Sequence, residues 1–321
     1  MSASRYGGEH TRGSVRSSNF LGVYGHTAID IIYKSDEFPQ PNTCVEMKGR
    51  REHFGGTGAN IARIASTLDV KTALASHVGD DFPKEFMEAL RKSGVDTTDV
   101  VKVRGFRTPF IIMISDKDHN QIGFVDQGAM REQDRLPVRT HSVDSAKFVH
   151  IGTGRPGYAL KIAKHARKKK KTVAFDPAQE LHYVYTSETF KPMLDYCDIL
   201  FANTSELERA KSYLNLKEDI ELLSYVKMLI NTRGGEGSRI LTQDDDVLVG
   251  TIQPDKVVDT TGAGDGFRAG FYAGMSRSLP IEECAWVGAS AASFIVEGEG
   301  AQSTLPTWDM VQRRAARRKC V

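Results

Sequence analysis

The chain has 321 residues, of which 40% are hydrophobic and 26% charged, as in ordinary globular domains. Its 43 Lys and Arg nearly balance 41 Asp and Glu, so the charge predicts neither a nucleic acid nor a membrane as partner. Its apolar runs are far shorter than the ~20 residues of a membrane span. The four cysteines are scattered without metal spacing and no secretory signal is recognised, which together predict a cytoplasmic protein.

Residues 1–18 are rich in Ser, Gly and Arg, which predicts a disordered N-terminal tail. A tag remnant, a mis-assigned start and a weak transit peptide are the alternatives. Residues 19–321 are predicted to form one domain, in which short apolar runs alternate with helical stretches. The first half contains predicted strands at 20–24, 46–54 and 72–77, helices at 60–68 and 83–93, and a hairpin at 108–125 with its tip at 116–120.

The second half alternates more regularly between strands and helices. This alternation predicts a parallel sheet with helices on both faces, while the segments at 46–54 and 108–125 predict a small accessory sheet. Strands are predicted at 147–151, 172–175, 199–202, 226–231 and 257–258, helices at 158–169, 187–196, 205–213, 263–275 and 281–296, and a hairpin at 238–252.

The most informative segment is 257–271, VVDTTGAGDGFRAGF. Gly262 and Gly264 predict a tight turn that a ligand can approach closely, and a helix begins there. The free N–H groups of a helix start form an anion site. Asp265 falls in the first turn, as a helix cap or as a base beside that site. Phosphoryl transfer requires both parts, donors to the transferred group and a carboxylate that takes the acceptor's proton.

Residues 259–267 resemble the second signature of the ribokinase-like (PfkB) family of small-molecule kinases, and Gly55-Gly-Thr-Gly-Ala-Asn60 resembles the first. The resemblance covers about residues 20–313. Further matches are Asn203-Thr-Ser-Glu206, Thr232-Arg-Gly-Gly-Glu-Gly237 and Asp30. Within the family, the segments 25–30, 38–42, 116–122, 175–179 and 305–309 are most similar to those of archaeal nucleoside kinases.

The resemblance implies a three-layer α/β/α sandwich with a central, mostly parallel sheet and a small β-sheet lid from about 44–54 and 108–125. It implies Asp265 as general base and an anion hole formed by Gly262, Ala263 and Gly264. The implied acceptor-binding residues are Asp30, Gly56, Asn60 and Gln179. The implied nucleotide-binding residues are Asn203, Thr232, Gly234 and Gly237, with Glu206 holding Mg²⁺ through water.

The resemblance also bears on ions and assembly. Many members bind a monovalent cation between a loop around Asp259 and Thr261 and a later loop, for which 297–303 is the candidate, so K⁺ is an optional cofactor. Lids of this family often dimerise, so a homodimer through the lid is an expectation.

The residues themselves leave alternatives open. Asn203 and Glu206 also fit a helix capping box, and Asn60 fits a helix cap. Residues 152–157, with Asp176 further on, match a dinucleotide fingerprint. Arg155 in that loop is not expected in a nucleoside kinase, and it suits a phosphate carried by the substrate.

The sequence therefore predicts an ATP- and Mg²⁺-dependent kinase that phosphorylates the 5′-hydroxyl of a nucleoside. The first alternative is a sugar or sugar-phosphate kinase of the same fold, which requires Arg104, Arg107 and Arg155 to converge on the acceptor. A non-catalytic nucleoside-binding protein and an NAD-dependent oxidoreductase are the others. No motif indicates which base the nucleoside carries.

Overall fold

A computed structural model of the chain describes residues 18–117 and 121–318. The predicted tail, except for Ser18, and most of the predicted hairpin tip lie outside the described residues. The strands of the described part are, in chain order, β1 (Leu21–Tyr24), β2 (Ala28–Lys34), β3 (Lys48–Gly55), β4 (Thr72–Val78), β5 (Asp96–Lys102), β6 (Phe110–Ser115), β7 (Gln121–Asp126), β8 (Phe148–Ile151), β9 (Thr172–Phe175), β10 (Ile199–Asn203), β11 (Met228–Thr232), β12 (Ser238–Thr242) and β13 (Asp246–Val249).

The helices of the same residues are α1 (Thr57–Thr67), α2 (Lys84–Lys92), α3 (His141–Asp144), α4 (Pro156–Lys168), α5 (Ser187–Leu194), α6 (Thr204–Leu214), α7 (Ala263–Ser276), α8 (Ile281–Ile295) and α9 (Trp308–Ala315). Short 3₁₀ segments span Gly128–Arg135, Ala178–His182, Asp219–Ser224 and Gly234–Glu236. Among the residues described, none of the helices has the length and apolarity that crossing a bilayer requires.

Nine of the described strands form one sheet in the order β13-β12-β11-β10-β9-β8-β1-β4-β5. From β11 to β5 all neighbours are parallel, and β12 and β13 add an antiparallel edge. The chain order reverses at β1, which lies between β8 and β4. Ligands of open α/β sheets bind outside the carboxyl ends of the strands at such a point. The segments that follow β1 and β8 therefore border the expected binding cleft.

Helices cover both faces of this sheet. Phe201 belongs to one hydrophobic core, whereas its neighbours Leu200 and Ala202 belong to the other, because successive side chains of a strand point to opposite faces. Helices α1, α2, α7, α8 and α9 contribute to the first core, and α4, α5 and α6 to the second. The predicted three-layer α/β/α architecture is confirmed.

The lid is a separate sheet of four described strands, in the order β3-β2-β6-β7. Strand β2 pairs antiparallel with β3 and parallel with β6, and β6 forms a hairpin with β7. Strand β3 lies against residues 297–303, since Arg51 forms an ion pair with Glu299 and the ring of His53 packs on Gly300. The predicted small second sheet is confirmed.

Three elements differ from the sequence-based expectation. The pattern did not reveal β2 or β5, and β5 (DTTDVVK) contains residues that are depleted in strands. The strand predicted at 257–258 is wrong. Val257 and Val258 are 63% and 50% exposed and belong to no described strand. Their β-branched side chains favour extended backbone, but neither of the two described sheets pairs with them.

Candidate active site

The turn that begins α7 brings free backbone donors to the surface. Gly262 has φ 80°, and a Cβ there would collide with Ala301, so glycine is required. The N–H of Ala263 donates to Thr260 O at 3.2 Å. The N–H groups of Gly264 and Asp265 have no partner within the described part of the chain. Of the three expected anion-hole donors, Gly262 and Gly264 have N–H groups without a partner among the described residues, whereas Ala263 is engaged in the turn. Asp265 offers its own N–H as a further donor.

Asp265 is a buried carboxylate, 9% exposed, that lies beside these donors. Asn60, near the start of α1, donates from Nδ2 to Asp265 Oδ2 at 2.8 Å. Burial raises the pKa of Asp265 to about 7, although the Asn60 hydrogen bond and the Arg268 charge act in the opposite direction. Such a group is ionised above neutral pH and takes up a proton readily.

Asp30 faces the same space from the lid strand β2. Its side chain lies against Gly55, where a Cβ would collide with the carboxylate, so the first glycine of the signature makes room for it. Asp30 Oδ1 is buried without a hydrogen-bond partner among the described atoms. Burial, and secondarily the charge of Asp265, raises the pKa of Asp30 to about 7. An unpartnered buried oxygen in this position suits a ligand hydroxyl.

The glycine that follows is fixed by its backbone. Gly56 has φ 86°, and a Cβ there would lie 2.6 Å from His26 O. It precedes α1 directly, so it sets the direction from which Asn60 enters the site. The structure therefore brings Asp30, Gly56, Asn60 and Asp265 together.

Arg268 and Asp176 form a buried ion pair behind Asp265. Arg268 is three residues after Asp265 on α7, and its Nη2 donates to Asp176 Oδ1 at 2.9 Å while its Nε donates to Oδ2. His150 Nε2 lies 3.6 Å from Asp176 Oδ2, and burial lowers the pKa of His150 to about 4. Asp176 is therefore held by a bidentate contact and does not project as a ribose ligand.

The loop 152–157 is likewise occupied by the protein's own side chains. Glu180 Oε2 accepts from Gly154 N at 2.5 Å, and Gln133 Oε1 accepts from Arg155 N at 3.0 Å. These contacts use the N–H groups that a dinucleotide phosphate would need, so the fingerprint interpretation is wrong. Glu180 is a buried residue that the sequence analysis missed, whereas the predicted Gln179 beside it is exposed.

Arg155 does not join the cluster around Asp265. Its Nε lies 3.6 Å from Asp134 Oδ2, and Arg107 Nε lies 3.6 Å from Asp81 Oδ2. These two arginines thus have separate acidic partners rather than one shared anion site.

Asn203 and Glu206 form a reciprocal cap at the start of α6. Asn203 N and Nδ2 each donate to one oxygen of Glu206 at 2.8 Å, and Glu206 N donates to Asn203 Oδ1 at 2.9 Å. The capping-box alternative is therefore present in the structure. Burial, and then the charge of Asp176, raises the pKa of Glu206.

The predicted nucleotide loop follows the neighbouring strand. Thr232 at the end of β11 pairs in register with Asn203 at the end of β10. Gly237 has φ 89° and lies against Val249 O, which excludes a side chain, whereas Gly234 is exposed. Asn203, Glu206, Thr232 and the loop glycines therefore lie at the same carboxyl edge of the sheet.

The loop 297–303 lies against the segment that precedes α7. Asp259 accepts from Thr261 N and from Gly300 N, both at 2.9 Å, so its carboxylate joins the two loops. Gln302 from the same loop donates to Asn60 Oδ1 at 2.7 Å. The sequence analysis noted this loop but did not single out Gln302, because an isolated glutamine carries no pattern.

A mostly parallel sheet with a small lid, and a buried carboxylate beside free N–H groups at a helix start, define a small-molecule phosphotransferase of the ribokinase-like class. The family model for pfkB family carbohydrate kinases matches residues 18–308. The chain belongs to this family of kinases.

Two relatives and one crystal structure show the degree of similarity. The nucleoside kinase of Methanothermobacter thermautotrophicus is 38% identical over 296 residues, covering 91% of this chain and 94% of the relative. The cytidine kinase of Thermococcus kodakarensis is 30% identical, covering 87% and 97%. The crystal structure of the Methanocaldococcus jannaschii nucleoside kinase, described as an archaeal member of the ribokinase family, has a TM-score of 0.87 at 36% identity and covers 94% of this chain and 100% of that chain.

Proposed function

We propose that this kinase transfers the γ-phosphoryl group of ATP to the 5′-hydroxyl of a nucleoside. The observation that carries the proposal is the contact of Asn60 with Asp265, which joins the two signature motifs beside the free N–H groups of Gly264 and Asp265. Relatives named nucleoside kinase and cytidine kinase support the nucleoside as acceptor.

In the proposed reaction Asp30 accepts hydrogen bonds from the sugar hydroxyls, since its Oδ1 is buried and unpartnered. Asp265 Oδ2 already accepts from Asn60, which leaves Oδ1 to take the proton of the 5′-hydroxyl. The resulting oxygen attacks the γ-phosphorus, the bond to the β-phosphate oxygen breaks, and ADP leaves. The N–H groups at the start of α7 stabilise the transferred group, each contributing about 3–4 kcal/mol of barrier reduction.

Mg²⁺ fits the charge of the site. Asp30, Asp176, Glu206 and Asp265 are all buried carboxylates, and Arg268 is a buried cation near the last three of them. We assign Glu206 to hold the ion through water, because each of its oxygens accepts one hydrogen bond from Asn203 and retains a second lone pair. Bound Mg²⁺ would neutralise charge on the β- and γ-phosphates. K⁺ remains an optional ligand of the two loops joined by Asp259.

We also propose that the protein forms a homodimer through the lid, because the outward face of the lid sheet is apolar and partly exposed. Asp30 points toward Asp265, so the residues adjacent to it along β2 point away. The cross-strand register places Ile31, Ile112 and Phe124 on that outward face, followed by Tyr33, Ile114 and Ile122. Phe124 is 59% exposed and Ile122 38% exposed. A second copy of the chain would cover this apolar surface.

The test is ADP release from Mg·ATP with purified protein and a panel of nucleosides, free sugars and sugar phosphates, run in K⁺ and in Na⁺. Turnover with inosine, guanosine, cytidine or adenosine is expected, with the product phosphorylated at the 5′ position by NMR. Turnover confined to phosphorylated sugars would instead support the alternative acceptor and a role for Arg155. ATP binding without turnover of any acceptor would contradict the proposal.

A further inference from the structure

Four side chains form a continuous hydrogen-bonded line that ends on Asp265. Arg63 Nη1 donates to Gln302 Oε1 at 2.8 Å, Gln302 Nε2 donates to Asn60 Oδ1 at 2.7 Å, and Asn60 Nδ2 donates to Asp265 Oδ2 at 2.8 Å. Arg63 and Asn60 are three residues apart on α1 and therefore share one face of that helix. Gln302 bridges them from the loop after α8.

The direction of this line is determined by its first member. A guanidinium group has donors but no acceptor, so Gln302 must present Oε1 to Arg63. The amide of Gln302 then presents Nε2 to Asn60, which obliges Asn60 to accept with Oδ1. Only Nδ2 of Asn60 remains to face Asp265. The two orientations of an isolated asparagine amide have nearly the same shape, so hydrogen bonding alone selects one of them.

The selected orientation matters because of the charges around Asp265. Asp30 on the lid, Asp176 after β9 and Glu206 on α6 are acidic groups near it, and each favours its protonated form. Arg268 on its own helix and the Asn60 amide favour the ionised form. A reversed Asn60 would direct Oδ1 at a carboxylate oxygen, a contact that becomes favourable only when Asp265 is protonated.

We propose that Gln302, held by Arg63, is a positioning residue that orients the Asn60 amide as a donor and thereby keeps Asp265 in its ionised, proton-accepting form. The inference rests on the proposed function, in which Asp265 is the base. Gln302 contacts Asn60 and Arg63 contacts Gln302, and neither has a hydrogen bond to Asp265 itself. Their effect passes through Asn60.

If Arg63 and Gln302 had a purely structural role, a different experimental result would be expected. Arg63 Nε also donates to Ser93 Oγ at 3.2 Å, and Gln302 attaches its loop to α1. Removing either side chain is therefore expected to lower the stability of the protein, whether its role is positioning or purely structural. Lost stability alone leaves the ionisation of Asp265 unchanged. The titration of Asp265 therefore distinguishes positioning from anchoring.

The experiment titrates the side-chain ¹³C carboxyl signal of Asp265 by NMR in the full-length protein, assigned by its absence from Asp265→Asn. Gln302→Met and Arg63→Met are each expected to raise the pKa of Asp265 by about one unit, the effect of losing one hydrogen bond to a charged group. Arg63→Lys keeps a donor for Gln302 and should stay within about 0.3 unit of the wild type. Gln243→Met, which removes an amide that donates to Leu223 O outside the site, is the matched control.

Kinetics give the second readout. The acid limb of the kcat/KM profile should move to higher pH by the same amount in Gln302→Met and Arg63→Met, with near wild-type rates recovered above pH 9. An unchanged Asp265 titration in both variants would overturn the positioning role, even if turnover falls. The NMR titration needs no substrate, so it tests the positioning role independently of turnover. If the pKa of Asp265 shifts as expected in a protein that turns over no acceptor, the positioning role of Gln302 is supported and the proposed function is rejected.

Discussion

Asn60 donates a hydrogen bond to the carboxylate of Asp265 at 2.8 Å, although 205 positions separate the two residues in the chain. Each residue belongs to the beginning of a helix, Asn60 to α1 and Asp265 to α7, and the two helices pack together on one face of the sheet. This contact makes one site from two distant glycine-rich motifs. It also gives the proposed base a fixed donor, so that one carboxylate oxygen is held while the other stays available.

Asp265→Asn is expected to lower kcat by about 10²–10⁴-fold, the contribution of a general base. Asparagine can still accept from Asn60, so the turn at Gly262 and the binding of ATP should be retained. Single-turnover kinetics and ATP titration calorimetry measure the two properties separately. Asp309→Asn, on the exposed face of α9, serves as the control and should behave like the wild type. Activity within a few-fold of the wild type in Asp265→Asn would show that another group takes the proton.

The same substitution should stabilise the protein, and more so at high pH. Burial raises the pKa of Asp265 from its ordinary value of 3.8 to about 7. The folded state therefore binds this proton more tightly than the unfolded chain. The bound proton therefore stabilises the folded state fully below about pH 4, and this stabilisation is lost as the pH rises through 7. Asparagine does not ionise and avoids this loss.

At about 1.4 kcal/mol per pKa unit, the free energy of unfolding of Asp265→Asn should exceed that of the wild type by about 2–4 kcal/mol at pH 8. The gain should be smaller at pH 5. Urea unfolding at both pH values measures the difference, with Asp309→Asn as the pH control. If Asp265→Asn increased the free energy of unfolding equally at the two pH values, the raised pKa of Asp265 would be contradicted.

The glycine-rich motifs of the sequence mark positions at which the structure requires glycine. Gly55, Gly56 and Gly262 are required because a Cβ would collide with Asp30, His26 and Ala301 respectively. Such constraints tie a residue type to a position, so they appear as a motif. The three-layer fold was predictable for a similar reason, since buried parallel strands and amphipathic helices alternate regularly from β8 to β11.

The residues that sequence analysis missed act through long-range contacts. Arg268, Glu180 and Gln302 are single polar residues whose partners, Asp176, Gly154 and Asn60, lie 92, 26 and 242 positions away. No local spacing encodes those contacts. The incorrect strand at 257–258 has the opposite cause, because its local propensity is strong but none of the described strands pairs with it. Ala263 was expected to be a free donor, yet the turn before α7 engages its N–H with Thr260 O.

Gly55→Ala is expected to weaken binding of the acceptor nucleoside and to leave binding of ATP unchanged. A Cβ at position 55 would collide with both carboxylate oxygens of Asp30 and displace the side chain from its buried position. The KM for the nucleoside should rise about tenfold or more, since a charged hydrogen bond to a sugar hydroxyl contributes roughly 1.5–3 kcal/mol. The KM for ATP should stay within about twofold. Steady-state kinetics with each substrate varied in turn measure this difference.

Gly123→Ala is the control for a mutation in the same lid sheet. A Cβ at position 123 meets Met113 Cε at 3.4 Å, an ordinary contact that a flexible methionine accommodates. Its kinetic constants should therefore match those of the wild type. Equal effects of the two substitutions on nucleoside KM would show that the lid as a whole, rather than Asp30, determines acceptor affinity.

Phe124→Lys is expected to convert a lid-mediated dimer into a monomer. Phe124 lies on the outward apolar face with Ile112 beside it, and a buried lysine would place an unpaired charge in that interface. Light scattering after gel filtration, at several protein concentrations, measures the mass. Phe106→Lys, a partly exposed phenylalanine outside the lid strands, should leave the mass unchanged. A monomeric wild type at all concentrations would reject the dimer.

Glu206→Gln separates the metal role of Glu206 from its role as a helix cap. Both carboxylate oxygens accept from Asn203, and a glutamine can accept with only one of its two terminal atoms. The variant therefore loses part of the cap, which should lower stability by about 1 kcal/mol.

If Glu206 also holds Mg²⁺ through water, the Mg²⁺ concentration for half-maximal activity should rise about tenfold at saturating ATP. Glu188→Gln, an exposed acid in the first turn of α5, controls for loss of charge at a helix start. Lower stability in Glu206→Gln with an unchanged Mg²⁺ requirement would leave Glu206 as a cap alone and assign the ion to the other carboxylates near Arg268.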